Sequence, residues 1–370
     1  VSPTEPMVTR SNDPSATRGG VKARTVTGER ILIVGPSWVG DMVMAQSLFM
    51  TLKARLPGCM IDVVGPAWSL PIIARMPEVR RALTLDVGHG KTGFKARWRL
   101  GRQLRGEYDR AIVLPRSWKS ALVPFMASVP SRTGFIGEQR FVILNRRRQL
   151  NKKILDQTVK RFVSLGLPRG EAYPPQRIPQ PKLRVDPDNQ AKLVTAHGLS
   201  DRPLIGMMPG AEFGPSKQWP LDYFRLLAET LIDAGYAVAV LGGPKDEAAG
   251  EKIALGLPHA FNLCGKTSLA DAVDVLGLCQ QVVTNDSGLM HVAAAVGTRI
   301  QAVYGSTSPH YTPPLSDNAE IHWLNLACSP CFERTCPLGH NNCLKHIMPE
   351  RLHQAIVAGT PANRDVLARQ

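Results

Sequence analysis

Three short segments combine acidic, basic and glycine residues in ways that could run chemistry on an anionic substrate. In Gly35-Pro-Ser-Trp-Val-Gly-Asp41 a carboxylate follows an apolar strand, Ile31 to Gly35, and opens a helix that runs roughly from Asp41 to Arg55. A carboxylate at the carboxyl end of a strand faces the ligand crevice, where it can act as a general base. Its simpler use is to cap the helix, since Asp is a preferred N-cap. In Asn285-Asp-Ser-Gly-Leu-Met-His291 the strand Gln281 to Thr284 turns into the helix Gly288 to Val296. Free backbone N–H groups and the helix dipole make such a turn a phosphate site, and Gly288 lets a ligand approach closely. Asp286 or Ser287 can cap this helix and still orient a sugar or ribose, whereas His291, one turn in, taken alone suits packing more than chemistry. The third segment is the Gly- and Pro-rich loop Pro209 to Pro220, where Lys217 could neutralise a leaving phosphate or simply be a surface lysine.

Two further patterns carry less. Gly265-Lys-Thr267 has the ending of a phosphate-binding P-loop, but the position five before Gly265 is Ala260, so an ATPase reading is set aside. Cys328, Cys331, Cys336 and Cys343 form C-x2-C-x4-C-x6-C with His340 and His346 interleaved, four soft ligands that could hold zinc or an iron–sulfur cluster. Their spacing matches neither zinc ribbons nor ferredoxins, and reduced thiols in a folded loop are the preferred reading. No metal and no cofactor is expected.

Short apolar strands alternate with amphipathic helices from Arg30 onward, the pattern of a parallel α/β architecture. Met60 to Gly65 and Arg110 to Leu114 read as further strands of a first half. After six prolines between Pro168 and Pro187, too many for a helix or central strand, the alternation restarts. Strand Leu204 to Met208, helix Leu221 to Ala234, strand Tyr236 to Leu241 and helix Leu269 to Leu278 follow. The expected division is a disordered segment 1–29, a domain 30–167, a linker 168–187 and a domain 188–370 that ends in a cysteine-rich loop and a helix. Ligands in open parallel sheets sit beyond the strands' carboxyl ends, so two facing sheets predict a substrate cleft between them.

Composition bounds the partners. The chain has 370 residues, 44% hydrophobic and 20% charged, enough for two cores, and no apolar run approaches the roughly 18 residues of a membrane helix. Seven cysteines, an odd number, without a secretory signature point to a reducing cytoplasm. The net charge is +15, and between Arg75 and Lys160 there are 20 Lys or Arg against 6 Asp or Glu. So one-sided an excess points to an anionic partner. Aromatics are only 6%, and none interleaves with the basic residues as a stacking motif, so nucleic acid is not expected.

Pro36 to Met42, Gly214 to Pro220 and Thr284 to Ala294, extended by Gly305 to Pro309 and Tyr311 to Leu315, resemble the bacterial lipopolysaccharide heptosyltransferases. The likeness is closest to the type II enzymes, because those that add the first heptose have no Trp at the position of Trp38. The resemblance covers residues 30 to about 350. It implies a GT-B fold, two Rossmann-like parallel-sheet domains facing across a cleft, in a metal-independent inverting glycosyltransferase of lipopolysaccharide core biosynthesis in a Gram-negative cell. The implied donor is ADP-heptose, and the implied acceptor is a phosphorylated lipid A inner core that already carries one heptose. It further implies a monomer, peripheral to the cytoplasmic face of the inner membrane. Asp41 would take the acceptor's proton, and Lys217, beside Ser216, would hold the departing ADP with Ser287 and Gly288. Asp286 would contact the heptose with His291 nearby, while Gly242, Gly243, Gly265 and Thr267 fit the adenosine side. A related transferase acting on another core position or glycan is the nearer alternative, and a non-catalytic polyanion binder the remote one.

Overall fold

The computed structural model describes residues 28–88, 92–168, 170–171, 175–199 and 201–359. The expected disordered segment therefore lies outside the described residues except for its last two positions. Twelve strands form two sheets. The first contains β1 (Arg30–Val34), β2 (Met60–Gly65), β3 (Val79–Thr84), β4 (Arg110–Val113), β5 (Ser131–Phe135) and β6 (Arg146–Arg148), in the order β3-β2-β1-β4-β5-β6. The second contains β7 (Leu204–Met208), β8 (Ala237–Val240), β9 (Ala260–Asn262), β10 (Gln281–Asn285), β11 (Arg299–Tyr304) and β12 (Ala319–Trp323), in the order β12-β11-β10-β7-β8-β9. Every pairing is parallel, from Ile31 opposite Ile61 and Arg110 to Val282 opposite Gly206 and Ile300. Each sheet runs outward from its first strand, then reverses to its fourth, so each has one switch point: β1/β4 and β7/β10.

Parallel sheets need helices on both faces, and the central strands show it. All five residues of β7 and of β10 are buried, as are Ile31 to Val34 of β1. The 17-residue helix Val39–Arg55 follows β1 and packs against both the helix Thr158–Gly166 and the helix Gly288–Val296 of the other half. One apolar cluster therefore runs through both halves, from Ile31, Met42 and Leu48 to Leu204, Met290 and Ala293. A buried ion pair adds to the contact. Arg75 Nη2 lies 2.6 Å from Asp274 Oδ2, and the other carboxylate oxygen accepts from the Asp186 backbone N–H at 2.8 Å.

Several local expectations change. Pro175 to Val185 of the proline-rich stretch form no helix or strand, but Pro187 is the first residue of the helix Pro187–His197, whose N-cap Asp186 accepts from the backbone N–H of Asp188 and Asn189. The basic run Arg146 to Arg148 is the edge strand β6, and Arg148 donates to the Leu167 carbonyl. Part of the first half's basicity is also used internally. Fully buried Asp62 accepts from Arg80 Nη2 at 2.6 Å and Arg81 Nε at 2.8 Å, and buried Arg140 donates to the carbonyls of Phe135 and Pro115. No helix among the described residues is long and apolar enough to cross a membrane.

Candidate active site

The second sheet's switch point brings the loop after β7 against the turn after β10. Chain geometry fixes the first anchor: Asn285, the last residue of β10, accepts the Trp219 backbone N–H on Oδ1 at 3.0 Å and donates from Nδ2 to the Pro209 carbonyl at 2.7 Å. Both ends of the Lys217 loop are thereby pinned to the strand that delivers Asp286. Lys217 Nζ then lies 2.6 Å from Asp286 Oδ2, and the same oxygen accepts from Thr307 Oγ1 at 2.6 Å. Lys217 also sits over the Phe213 ring, 5.1 Å from its centroid. A carboxylate with a lysine and a hydroxyl on one oxygen is held in a single orientation, because charge-assisted bonds are the strong ones.

The helix Gly288–Val296 begins immediately beyond. Its N-cap is Ser287, whose side chain makes no capping hydrogen bond. The first backbone N–H groups of this helix are therefore not taken up by a side-chain cap, and they point where the dipole favours an anion.

From the other half, the helix Val39–Arg55 arrives end-on. Its N-cap is Trp38, so Asp41 lies inside the first turn and does not cap the helix. Close approach depends on glycine. A Cβ placed on Gly40 would stand 2.6 Å from His291 Cδ2, and one on Gly288 would stand 3.2 Å from Val39 Cβ. Two helix N-termini thus meet glycine to glycine, with Asp41 on one side and Asp286, Lys217 and His291 on the other. Burial pushes the Asp41 carboxyl up to about 6; the Lys217 charge acts downward on it and the Asp286 charge upward. Burial likewise holds His291 down at about 4, outweighing the opposing Asp286 charge, so its imidazole is neutral near pH 7.

The remaining residues named from the sequence fall in two places. Gly242 and Gly243 follow β8 and Gly265 and Thr267 follow β9, side by side: the Gly265 N–H donates to the Gly242 carbonyl at 3.1 Å, and Gly265 takes a φ of +71° that suits glycine. Asp246 closes this group by accepting the Gly243 N–H at 2.9 Å. One strand, β7, lies between β10 and β8, and two, β7 and β8, between β10 and β9, so these loops form a second patch on the same rim as Asp286. Thr267 turns its hydroxyl to the Leu263 carbonyl at 3.2 Å, and Ser268 starts the next helix with a capping box to Asp271. Ser216 points elsewhere: its buried hydroxyl donates to the Glu333 carbonyl and lies 3.0 Å from Ser306 Oγ. There it lines a small cavity of about 20 Å³ with Cys328, Cys331, Cys336 and Cys343. Among the described residues no group of three His, Cys, Asp or Glu is arranged to hold a metal ion.

Sequence reasoning did not assign Thr307, Phe213 or Asn285. The Gly305 to Pro309 loop was a visible block, but nothing in its spacing says that the second hydroxyl reaches a carboxylate 21 positions away.

The chain is similar to known proteins over most of its length. Residues 97–342 match glycosyltransferase family 9 (heptosyltransferase). The lipooligosaccharide heptosyltransferase 2 of Haemophilus influenzae is 50% identical over 303 residues, 79% of this chain and 87% of that protein. The lipopolysaccharide heptosyltransferase 2 of Escherichia coli K12 is 44% identical over 340 residues, 89% and 98% of the two chains. The solved structure of the E. coli ADP-heptose lipopolysaccharide heptosyltransferase II superposes with a TM-score of 0.79 at 42% identity, covering 89% of this chain and 98% of that one. The fold is therefore GT-B, two facing parallel sheets, and the chain belongs to glycosyltransferase family 9, the heptosyltransferases.

Proposed function

We propose that this heptosyltransferase moves a heptose from ADP-heptose to the first heptose of the lipopolysaccharide inner core, with inversion, in one displacement. The observation that carries the reading is the meeting of Asp41, its carboxyl raised to about 6, with the Lys217–Asp286 pair at the bare N-terminus of the helix Gly288–Val296. In the displacement the acceptor hydroxyl oxygen attacks the anomeric carbon while the bond from that carbon to the donor phosphate oxygen breaks. The electron pair leaves with ADP, and the hydroxyl proton passes to Asp41. A carboxylate with a pKa near 6 is mostly ionised at neutral pH and still basic enough to accept that proton.

Charge grows on the departing diphosphate, so fixed positive groups there lower the barrier more than they aid ground-state binding. Lys217 and the backbone N–H groups at Ser287 and Gly288 supply them in this reading, in the role a cation could otherwise fill. Asp286, oriented by Lys217 and Thr307, accepts from heptose hydroxyls, and neutral His291 contributes shape beside it. The patch of Gly242, Gly243, Gly265 and Thr267 takes the adenosine. Residues 30–167 then serve as the acceptor domain and 188–370 as the donor domain, joined by 168–187. The first domain's basic surface lies against a phosphorylated glycolipid at the cytoplasmic membrane face.

The test is turnover with ADP-heptose and two defined acceptors, one carrying a single inner-core heptose and one carrying none. ADP release and a product one heptose heavier are expected only with the first. Equal use of both, or use of the second alone, would overturn the assignment.

A further inference from the structure

The first sheet has its own switch point, β1/β4, and a cavity of about 260 Å³ lies beyond it. Residues that follow each of β1 to β4 line it, among them Ser37, Trp68, Val87, Arg97 and Lys119. Arg97, on the helix Phe94–Gln103, is only 8% exposed. Its Nε donates to the Thr92 carbonyl at 2.8 Å, and no carboxylate pairs with its guanidinium among the described residues. Burial pulls its pKa down with no neighbouring charge to offset the effect. A guanidinium that lines a cavity in this state is costly to hold until an anion completes it, and its planar fork suits phosphate or carboxylate oxygens.

Trp68 stands at the mouth, 46% exposed, and its Nε1–H donates to the Ser37 carbonyl at 3.1 Å. That bond fixes the edge of the indole and leaves a flat apolar face open. Ser37 belongs to the same short turn as Trp38, the N-cap of the helix that carries Asp41, so the cavity and the candidate base share one loop.

We infer that this cavity binds an anionic substituent of the acceptor glycan, a phosphate or a carboxylate, with Arg97 as its forked partner and Trp68 packed on the sugar that carries it. The inference rests on the reading that the chain accepts a glycan. It adds that the acceptor is selected by a buried charge pair as well as by the exposed basic surface. A surface attraction would fade with salt, whereas a buried pair is screened much less.

The experiment titrates the whole chain, without donor, with three deacylated one-heptose inner-core oligosaccharides while following tryptophan fluorescence. One oligosaccharide is untreated, one phosphatase-treated and one carboxyl-reduced. Removing the recognised anion should weaken binding by about thirtyfold or more, the usual consequence of leaving one partner of a buried charge pair unmatched. Whichever treatment does so identifies the source. R97Q should weaken the untreated glycan by a similar factor and bind all three alike. If R97Q does not fold, R97K keeps the charge without the fork and must lose more affinity for the untreated glycan than for the treated one. Indifference of the parent chain to both treatments, or an equal loss for all three glycans in the variant, would overturn the inference. Because no donor is present, a failed transfer assay would refute the heptose-transfer reading and leave this binding test intact.

Discussion

Lowering the pH from 7 to 5 should cut kcat/KM about tenfold, because the candidate base titrates within that window. With its carboxyl raised to about 6, Asp41 is roughly 90% ionised at pH 7 and roughly 10% at pH 5, whereas a carboxyl at the ordinary 3.8 would stay more than about 90% ionised at both. His291, held down at about 4, stays neutral over the same range and adds no limb of its own. The neighbours supply a second check with fixed signs. Lys217 favours the ionised form, so the residual activity of Lys217→Ala should show its acid limb at higher pH. Asp286 disfavours it, so Asp286→Asn should move the limb lower. The assay is the initial rate of ADP release at subsaturating acceptor, with circular dichroism confirming folding at each pH. A flat profile from pH 7 to 5, or limbs that shift opposite to these signs, would remove the argument that Asp41 is the base.

The same raised carboxyl has a cost in stability. A folded-state pKa above the unfolded value stabilises the fold while the group is protonated, and that contribution is lost as pH rises through about 6. Asp41→Asn should therefore be more stable than the parent at pH 8, by no more than about 3 kcal/mol, with the gain gone by about pH 4 in thermal melts. Lys217→Ala leaves the buried Asp286 carboxylate with only Thr307 on its paired oxygen, and both stability and turnover should fall; parent-like kinetics would make the lysine a bystander. Gly40→Val should destabilise the contact with His291 by about 1–3 kcal/mol, and melting of the double variant with His291→Ala should recover part of that loss. Replacing Arg146, Arg147 and Arg148 by Gln should raise the acceptor KM and flatten its salt dependence while ADP binding is unchanged. An unchanged salt slope would confine that strand to a structural role.

The parts of the fold that were legible in the sequence are those whose apolar residues make a pattern alone. β7 and β10 are buried throughout, the helices Leu269–Leu278 and Gly288–Val296 bury the continuous runs Ala272 to Leu276 and Met290 to Ala295, and their apolar residues say so. β3 and β6 were not legible, because Val79–Thr84 and Arg146–Arg148 put arginines inside strands. Those arginines are tolerated at the sheet's edges, where Asp62 or a backbone carbonyl receives them, a tertiary effect that no local propensity carries. Among the candidate site residues, Asp41, Lys217, Asp286 and His291 lie in short motifs that follow strands and could be named from them. By residue type Asp41 suits capping equally well, but the helix begins two residues earlier, behind Trp38. Thr307 and Arg97 were hidden for opposite reasons. Thr307 is one hydroxyl in a loop rich in them, and Arg97 is one of 20 basic residues between Arg75 and Lys160. Burial, which it shares with Arg140, together with a place on the cavity wall separates Arg97 from the rest.

The most direct test of the account is a single turnover by Asp41→Asn, preloaded with ADP-heptose and mixed with the one-heptose acceptor. Asparagine fits the same place in the first turn of its helix but cannot accept the proton. The rate of product formation should fall by about 10² to 10⁴, with the donor dissociation constant within about twofold of the parent's. Product formation at the parent's rate would contradict the account, since the acceptor's proton would then have to leave by another route.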